Sequence, residues 1–430
     1  MKIGIVGTGY VGLVTGVMLT SIGHEIVCVD NDLGKVHRLS QGDPIIYEDG
    51  LENLMKEAIR GNKIIFSSNY SDLNSCDSLF ICVGTPSKED GSANLSFVEE
   101  AVKNAARNVD RSSLIIIKST VPPGTCRHMQ KSINDLGYNH KIASNPEFLR
   151  EGSAIFDFSS PDRLVFGTSN PDDIVILKQI YQPQIEKNVE VVETDTTTAE
   201  MIKYTSNSFL AIKLSFINEM ANLCEYVDAD IEKLAKGVGL DKRIGELFLN
   251  AGPGYGGSCF PKDTSALSML AASYNCKSEI LDSAIKSNIS RYSLMKDKIK
   301  SILGNKRNIA VLGIAFKANT DDIRKSPAVE IVKLLLKEGF EISVFDPAAL
   351  RNFAKLNLPR VTIASSSTEA SLGKDAIVIL TEWEEFKKID WQIFAGSMKN
   401  KVVIDFRKVA DEWAVKKAGF KYFTIGRKHD

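Results

Sequence analysis

No CxxC pair occurs in this sequence. Its seven cysteines, Cys28, Cys76, Cys82, Cys126, Cys224, Cys259 and Cys276, are scattered and odd in number. That pattern excludes a disulfide framework and a structural zinc site and points to a reducing, cytoplasmic setting. The five histidines show no metal-ligand spacing, so no metal is expected. No apolar run is long enough to span a bilayer. The opening MKIGIVGTGYVG reads as a strand and a glycine turn rather than a signal peptide. Basic and acidic residues nearly cancel, 53 against 54, with no basic tail or stripe for nucleic acid and no acidic run for a disordered tail. Low-complexity segments are absent. What remains is a globular composition, 43% hydrophobic, in 430 residues, enough for two or three domains.

Glycine, by contrast, is concentrated in Gly252–Asp263, GPGYGGSCFPKD, where Gly252, Gly254, Gly256 and Gly257 fall within six residues. Such density implies backbone at positive φ or in close approach to something. Cys259 follows two residues later. Pro261 then reads as the first position of a helix through TSALSMLAAS, which places Cys259 at or just before a helix N-terminus. The helix dipole and the neighbouring Lys262 both favour thiolate over thiol there, the setting of a nucleophile. The alternative is a small buried thiol after a tight turn.

From the start of the chain, strand Lys2–Val6 runs into Gly7-Thr8-Gly9-Tyr10-Val11-Gly12, a helical pattern to about Ser21, and a second strand, Glu25–Val29, ending on Asp30. This is G-x-G-x-x-G in its strand–turn–helix context with an acid about 20 residues on, a dinucleotide site. Asp30 suits a ribose diol and repels a 2′-phosphate, favouring NAD over NADP, although Lys35 and Arg38 stand nearby. Strands Ser78–Val83 and Ser113–Ile117 end in hydroxyl-bearing turns with Thr85 and Thr120, at the sheet edge where ligands of open α/β folds bind; helix capping is the alternative use of both. In Asn145–Gly152, Glu147 and Glu151 share a face if the segment is helical, as base and anchor or as a solvated face. From about Thr196 the pattern is a helix through at least Val227, long enough to pass between domains and to carry a dimer interface. It holds Lys203 and Asn207 one turn apart, either as ligand groups or facing water.

After an amphipathic Lys286–Leu303 and a boundary at Gly304-Asn305, the opening recurs in outline. Strand Asn308–Leu312, Gly313, helix Ser326–Lys337 and strand Glu341–Phe345 lead to Asp346, with strands Ala376–Leu380 and Val402–Ile404 completing the sheet. The intervening loop carries Lys317, Arg324 and Lys325, suited to a phosphorylated ligand or simply solvated. The expected fold is α/β: two Rossmann-like doubly wound parallel-sheet domains, 1–195 and 305–430, joined through 196–304 by a long central helix and a small helical domain.

The motifs GTGYVG (Gly7–Gly12), VGTP (Val83–Pro86), STVPPGT (Ser119–Thr125), NPEFLREG (Asn145–Gly152), MIKYTSN (Met201–Asn207), GYGGSCFPKD (Gly254–Asp263) and FKANTDDIRKSPA (Phe316–Ala328) occur in fixed order. Nearly the whole chain thus resembles the UDP-glucose/GDP-mannose dehydrogenase family. The resemblance implies oxidation of UDP-glucose by two NAD⁺ and water to UDP-glucuronate. It implies Cys259 as nucleophile, Lys203, Asn207 and Asp263 around the reacting carbon, and Thr120 and Glu151 near a catalytic water. It further implies sugar-nucleotide contacts from Glu147, Phe148, Leu149, Arg150, Glu151, Arg243, Phe248, Leu249, Asn250, Ala251, Gly252, Tyr255, Gly256 and Lys317. NAD contacts are implied for Gly7, Gly9, Tyr10, Val11, Gly12, Asp30, Lys35, Thr85, Thr120, Glu151, Lys262 and Arg324. Lys325 departs from the family, where an acid is expected. UDP-glucose and NAD are the implied small-molecule ligands, and a homodimer through the long helix the implied assembly. Three other readings stand beside this one: the same chemistry on GDP-mannose or UDP-N-acetylmannosamine, a one-step alcohol dehydrogenase, and a non-catalytic nucleotide sensor.

Overall fold

The computed structural model describes residues 1–110 and 112–428, in two compact units, Met1–Ser206 and Asn207–Asp430. The first carries eight strands: β1 (Lys2–Val6), β2 (Glu25–Val29), β3 (Ile64–Ser67), β4 (Ser78–Ile81), β5 (Leu114–Ile117), β6 (Lys141–Ser144), β7 (Arg163–Gly167) and β8 (Glu190–Thr194). They lie in the order β3-β2-β1-β4-β5-β6-β7-β8, parallel except where β7 meets β6. The central strands are unbroken apolar runs, such as LIII in β5, because helices cover both faces of the sheet. Strand alternation divides these residues between two cores: Ile26 and Cys28 of β2 join one, Val27 and Val29 the other.

The second unit carries β9 (Asn308–Leu312), β10 (Glu341–Phe345), β11 (Val361–Ile363), β12 (Ala376–Ile379), β13 (Val402–Asp405) and β14 (Lys421–Thr424), all parallel, in the order β11-β10-β9-β12-β13-β14. Its strand order repeats that of the first six strands of the other unit. Each sheet therefore reverses direction beside its first strand, between β1 and β4 and between β9 and β12, which opens a ligand crevice at the carboxyl edge. Both sheets are the Rossmann-like arrangement expected, and the long helix is there: Thr196–Val227, 32 residues, with the division between units falling inside it. Helices Ile231–Gly239, Phe260–Ser273 and Glu279–Leu303 precede β9. Among the described residues no helix is long and apolar enough to cross a membrane.

Two local expectations are corrected. Residues 145–150 are irregular and a helix begins only at Ala154, so Glu147 and Glu151 do not share a helical face. Pro146 disfavours helical backbone at Asn145. The Glu147 carboxylate accepts the Leu149 N–H at 2.6 Å, a local bond that competes with a helical ladder. In the cysteine helix, Phe260 takes the first position and Pro261 the second, with Cys259 as N-cap; the missing N–H of proline is harmless anywhere in that first turn.

Candidate active site

At the carboxyl end of β1, Gly7 has φ 92° and a Cβ on Gly12 would lie 1.9 Å from the Gly7 carbonyl oxygen. Only glycine lets the helix Tyr10–Ser21 start directly against that turn. Gly9, its N-cap, brings no side chain, and a Cβ there would meet nothing within 4 Å. The first-turn N–H groups are thus placed as for a pyrophosphate. Asp30 lies buried at the end of β2. Its Oδ2 accepts the Thr8 N–H (2.8 Å) and hydroxyl (2.7 Å), and its Oδ1 accepts the Asp32 N–H (3.0 Å). Burial alone would raise this carboxyl, but those donors, with Lys35 Nζ at 3.8 Å, hold it below its ordinary value. An anionic acid beside an uncapped glycine turn fits a dinucleotide with a free ribose diol. The Tyr10 hydroxyl donates to Glu48, whose carboxylate also accepts the Gly152 and Ala154 N–H groups, each at 2.7 Å. Glu48, absent from the sequence reading, thereby fastens the loop of Glu151 to the glycine turn.

The acidic segment is organised by the long helix. Lys203 Nζ meets Glu147 Oε1 at 2.9 Å, with both side chains 5% exposed. The Phe148 ring lies between the guanidinium of Arg163, 3.7 Å from its centroid, and the Lys203 ammonium at 5.2 Å. Leu149 packs against the core, and Arg150 is held by Asp157 at 2.5 Å. Thr85 does not cap a helix: its hydroxyl donates to the Thr120 carbonyl at 2.9 Å and links the turns after β4 and β5. Glu200, also missed, accepts the Gly124 and Cys126 N–H groups (2.6 and 2.7 Å) and secures the STVPPGT turn.

In the second unit, Cys259 is half-buried at its N-cap position, whereas Cys224, the other cysteine before it in this unit, is buried. The Ser258 hydroxyl lies 3.6 Å from its sulfur. One turn into the helix, Asp263 is fully buried and accepts from Asn207 Nδ2 at 2.6 Å. Lys262 ion-pairs with the same carboxylate, so its charge is directed to Asp263 as well as to its surroundings. The glycine loop is clamped from the helix Glu279–Leu303. Asn288 exchanges two hydrogen bonds with the Tyr255 backbone (2.8 and 3.0 Å). Arg291 donates to the carbonyls of Gly252 (2.5 Å) and Asn218 (3.0 Å), and Asn218 accepts the Gly252 N–H (2.8 Å). Sequence reading missed all three. The signal was available: Asn288 and Arg291 interrupt the buried stripe Leu281, Ala284, Met295, Ile299 of their helix.

The loop 316–326 packs on the same glycines. Gly257 N–H donates to Arg324 O at 2.9 Å, and a Cβ on Gly256 would lie 2.2 Å from Lys325 O. Lys325 has φ 49°, so the residue that departs from the expected acid is the one whose backbone turns against Gly256. The Arg324 guanidinium engages Asp322 at 2.7 Å, and Lys317 lies over Phe316. Arg407 donates to the Phe316 carbonyl (3.1 Å) and packs on Gly252, another contact the sequence did not suggest. Phe248 stacks at a tilt on Phe260, Leu249 and Ala251 are buried, and Asn250 is exposed. Arg243 is exposed and paired with Asp241. In the first unit the structure joins Asp30 to Thr8 and Lys35, Thr85 to Thr120, and Glu147 to Lys203. In the second, Asn207 and Lys262 both engage Asp263, on the helix that Cys259 caps.

Family comparison divides the chain in three, and its central match runs across the boundary between the two units. The NAD binding domain of the UDP-glucose/GDP-mannose dehydrogenase family matches residues 1–185, the central domain 197–290 and the UDP binding domain 310–412. A UDP-glucose 6-dehydrogenase of Rickettsia felis is 48% identical over 436 residues, spanning 100% of this chain and 97% of that protein. The solved UDP-glucose dehydrogenase of Pyrobaculum islandicum superposes with a TM-score of 0.91 at 35% identity, covering 98% of this chain and 96% of its own. A UDP-D-ManNAc dehydrogenase from Pyrococcus horikoshii gives 0.86 at 27% identity, covering 99% of each chain. The crevice glycines, the buried lysine–glutamate pair and the N-cap cysteine lie within domains matched along nearly the whole sequence, and the chain belongs to the UDP-glucose/GDP-mannose dehydrogenase family.

Proposed function

We propose that this protein oxidises UDP-glucose to UDP-glucuronate, consuming two NAD⁺ and one water. The observation that carries the reading is Cys259, a half-exposed thiol at a helix N-terminus, one turn from a buried carboxylate that holds Asn207. NAD, when bound, is the acceptor of both hydrides. Loss of the first hydride and the hydroxyl proton converts the primary alcohol to an aldehyde, a poor hydride donor until something adds to it. The Cys259 thiolate adds to the aldehyde carbon and gives a thiohemiacetal. Loss of the second hydride leaves a thioester. Water, deprotonated by Glu151 near Thr120, displaces the sulfur and releases the acid. Lys203, kept charged by Glu147, stabilises the oxyanion formed at each addition. Asn207 and Asp263 orient the reacting carbon beside the sulfur.

In this reading residues 1–195 bind NAD through Gly7–Gly12, Asp30 and Thr85, 196–304 carry the long helix and the cysteine loop, and 305–430 hold the uridine diphosphate with Lys317. The protein acts in the cytoplasm as a homodimer. Support for the dimer comes from Phe209, Phe216 and Leu223, exposed at seven-residue intervals on the long helix. Absorbance of NADH with a panel of nucleotide sugars tests the function. Two NADH per acid formed from UDP-glucose is the expected result. One NADH per turnover would indicate a one-step alcohol dehydrogenase, and none would indicate a sensor. Preference for UDP-N-acetylmannosamine or GDP-mannose would reassign the sugar.

A further inference from the structure

Glu48 takes no part in the steps above and belongs to none of the motifs, yet its carboxylate joins separate stretches of the first unit. It is 8% exposed and lies just before the helix Leu51–Arg60. Its Oε2 accepts the Tyr10 hydroxyl and the Gly152 N–H (2.7 Å). Its Oε1 accepts the Ala154 N–H (2.7 Å) and the Ile155 N–H (3.4 Å). The Gly152 N–H also reaches the Tyr10 hydroxyl oxygen at 3.0 Å. Tyr10 is the first residue of the helix that follows the glycine turn. Ala154 and Ile155 open the helix Ala154–Ser159, whose N-cap, Ser153, makes no side-chain capping bond of its own.

Glu151 lies in the turn that Glu48 holds. The Ser153 N–H donates to the Arg150 carbonyl at 3.0 Å, which closes four residues around Glu151 and Gly152. Gly152 has φ 78°, the third-position backbone of a type II turn. Such a turn and its type I alternative differ by rotation of the central peptide, and glycine tolerates both. The Gly152 N–H belongs to that central peptide, so the Glu48 carboxylate selects one orientation of it. On the other side of Glu151, the Arg150 N–H donates to Asp157 Oδ2 at 2.8 Å. The residues before and after Glu151 are thus each held by a buried carboxylate, through bonds stronger than those between neutral groups. A serine cap from Ser153 would serve the short helix without the cost of burying Glu48. What Glu48 adds is a fixed relation between the Glu151 turn and the glycine turn. We propose that Glu48 is a positioning residue that fixes the backbone of Glu151 for hydrolysis of the thioester, anchored through Tyr10 to the helix that receives the cofactor pyrophosphate.

The inference rests on the role proposed above for Glu151, and its test separates the two. In that step Glu151 takes a proton from water and the water oxygen bonds to the thioester carbon. The C–S bond then breaks with its electron pair on the Cys259 sulfur. Neither hydride transfer in the scheme uses Glu151, so a displaced Glu151 slows hydrolysis alone. An amide offers one acceptor oxygen, so Glu48→Gln surrenders the bonds of one carboxylate oxygen and loosens the turn. Native protein and Glu48→Gln are each mixed rapidly with UDP-glucose and NAD⁺, and NADH is followed from the first turnover. In the variant, close to two NADH per chain form at the native rate. The steady state that follows is roughly 10- to 100-fold slower than native, the scale of loss when a catalytic group moves by about 1 Å. Intact-protein mass spectrometry then finds the sugar nucleotide attached at Cys259. A role in folding alone would slow the first turnover and the steady state together and leave no adduct, which overturns the proposal. A steady state at the native rate overturns it too. If Glu48→Gln does not fold, Tyr10→Phe removes one donor from the carboxylate and keeps the backbone. It shows the same pattern with a smaller slowing, and a native steady state there overturns the role of Glu48 while leaving the oxidation intact. Absence of NADH from native protein with every sugar overturns the functional reading itself, and the role of Glu48 falls with it.

Discussion

Asp30 and Asp346 end the second strand of two sheets with one strand order, and their hydrogen bonds differ in number. Asp346 accepts from the backbone of Ile314, Ala315, Ala348 and Ala349 and from the Trp383 indole, five donors for about four lone pairs. Asp30 accepts three, which leaves acceptor capacity for a ribose diol. Asp30→Ala is expected to raise KM for NAD roughly 10- to 100-fold, the loss of one charge-assisted bond, and to narrow the preference over NADP. Steady-state kinetics with both cofactors measure this, and equal use of NADP by the native protein would sink the assignment. Cys259 is the other decisive residue. Its sulfur is required for the second oxidation and the hydrolysis, not for the first hydride transfer. Cys259→Ala should therefore bind both ligands and reduce a UDP-linked aldehyde with NADH, yet form almost no acid. Cys259→Ser should accumulate an ester, because an alkoxide leaves a carbonyl less readily than a thiolate. Intact-protein mass spectrometry after mixing with UDP-glucose and NAD⁺ detects it. Acid production by Cys259→Ala near the native rate would make the cysteine structural.

The elements that carry these residues were legible to different degrees. Strands β1, β2, β9 and β10 follow from short apolar runs ended by glycine or aspartate, and the long helix from 32 residues free of glycine and proline. Motif residues were legible because backbone demands are local: Gly12 and Gly256 are where a Cβ would strike a carbonyl. The residues that hold the motifs in place were not, because Asn218, Asn288, Arg291, Glu48 and Glu200 act on backbone groups 33 to 106 residues away. Distance along the chain hides such contacts from spacing arguments. Irregular Asn145–Arg150 was equally hidden, since i and i+4 acids are informative only if a helix exists. Arg291 offers the test of this layer. Burial lowers its guanidinium to about 10, and its donors reach the carbonyls of Gly252 and Asn218. Arg291→Leu strands the Gly252 carbonyl, at about 1–3 kcal/mol. The expected outcome is a melting temperature several degrees lower and a loss in kcat/KM for the sugar nucleotide larger than that for NAD, because the glycine loop slackens. Equal losses for both ligands would mean general destabilisation only.

At the scale of the whole molecule, the two sheets follow from alternation of strand and helix patterns, whereas assembly depends on what one helix leaves uncovered. Phe209, Phe216 and Leu223 are 61%, 53% and 52% exposed, and Tyr226 and Val227 continue the row at 88% and 63%. Residues seven apart on an α-helix drift by only about 20° per step, so the first three form one stripe. Monomers rarely leave such a continuous apolar strip in water. A two-fold axis beside the helix would pair the strip with its own copy, and each side chain would then be buried twice, at roughly 1.5–3 kcal/mol per large apolar residue. A carboxylate at the middle of the strip meets its own symmetry mate in an apolar interface, and each desolvated charge costs several kcal/mol. Phe216→Glu should therefore weaken association by at least 100-fold, while the fold survives because the exposed side chain contributes little to either core. Sedimentation velocity across a concentration series reads the outcome directly. Native protein runs as a dimer of the 430-residue chain and Phe216→Glu as a monomer with unchanged far-UV circular dichroism. A native monomer, or a variant that stays dimeric, would place the interface on another surface.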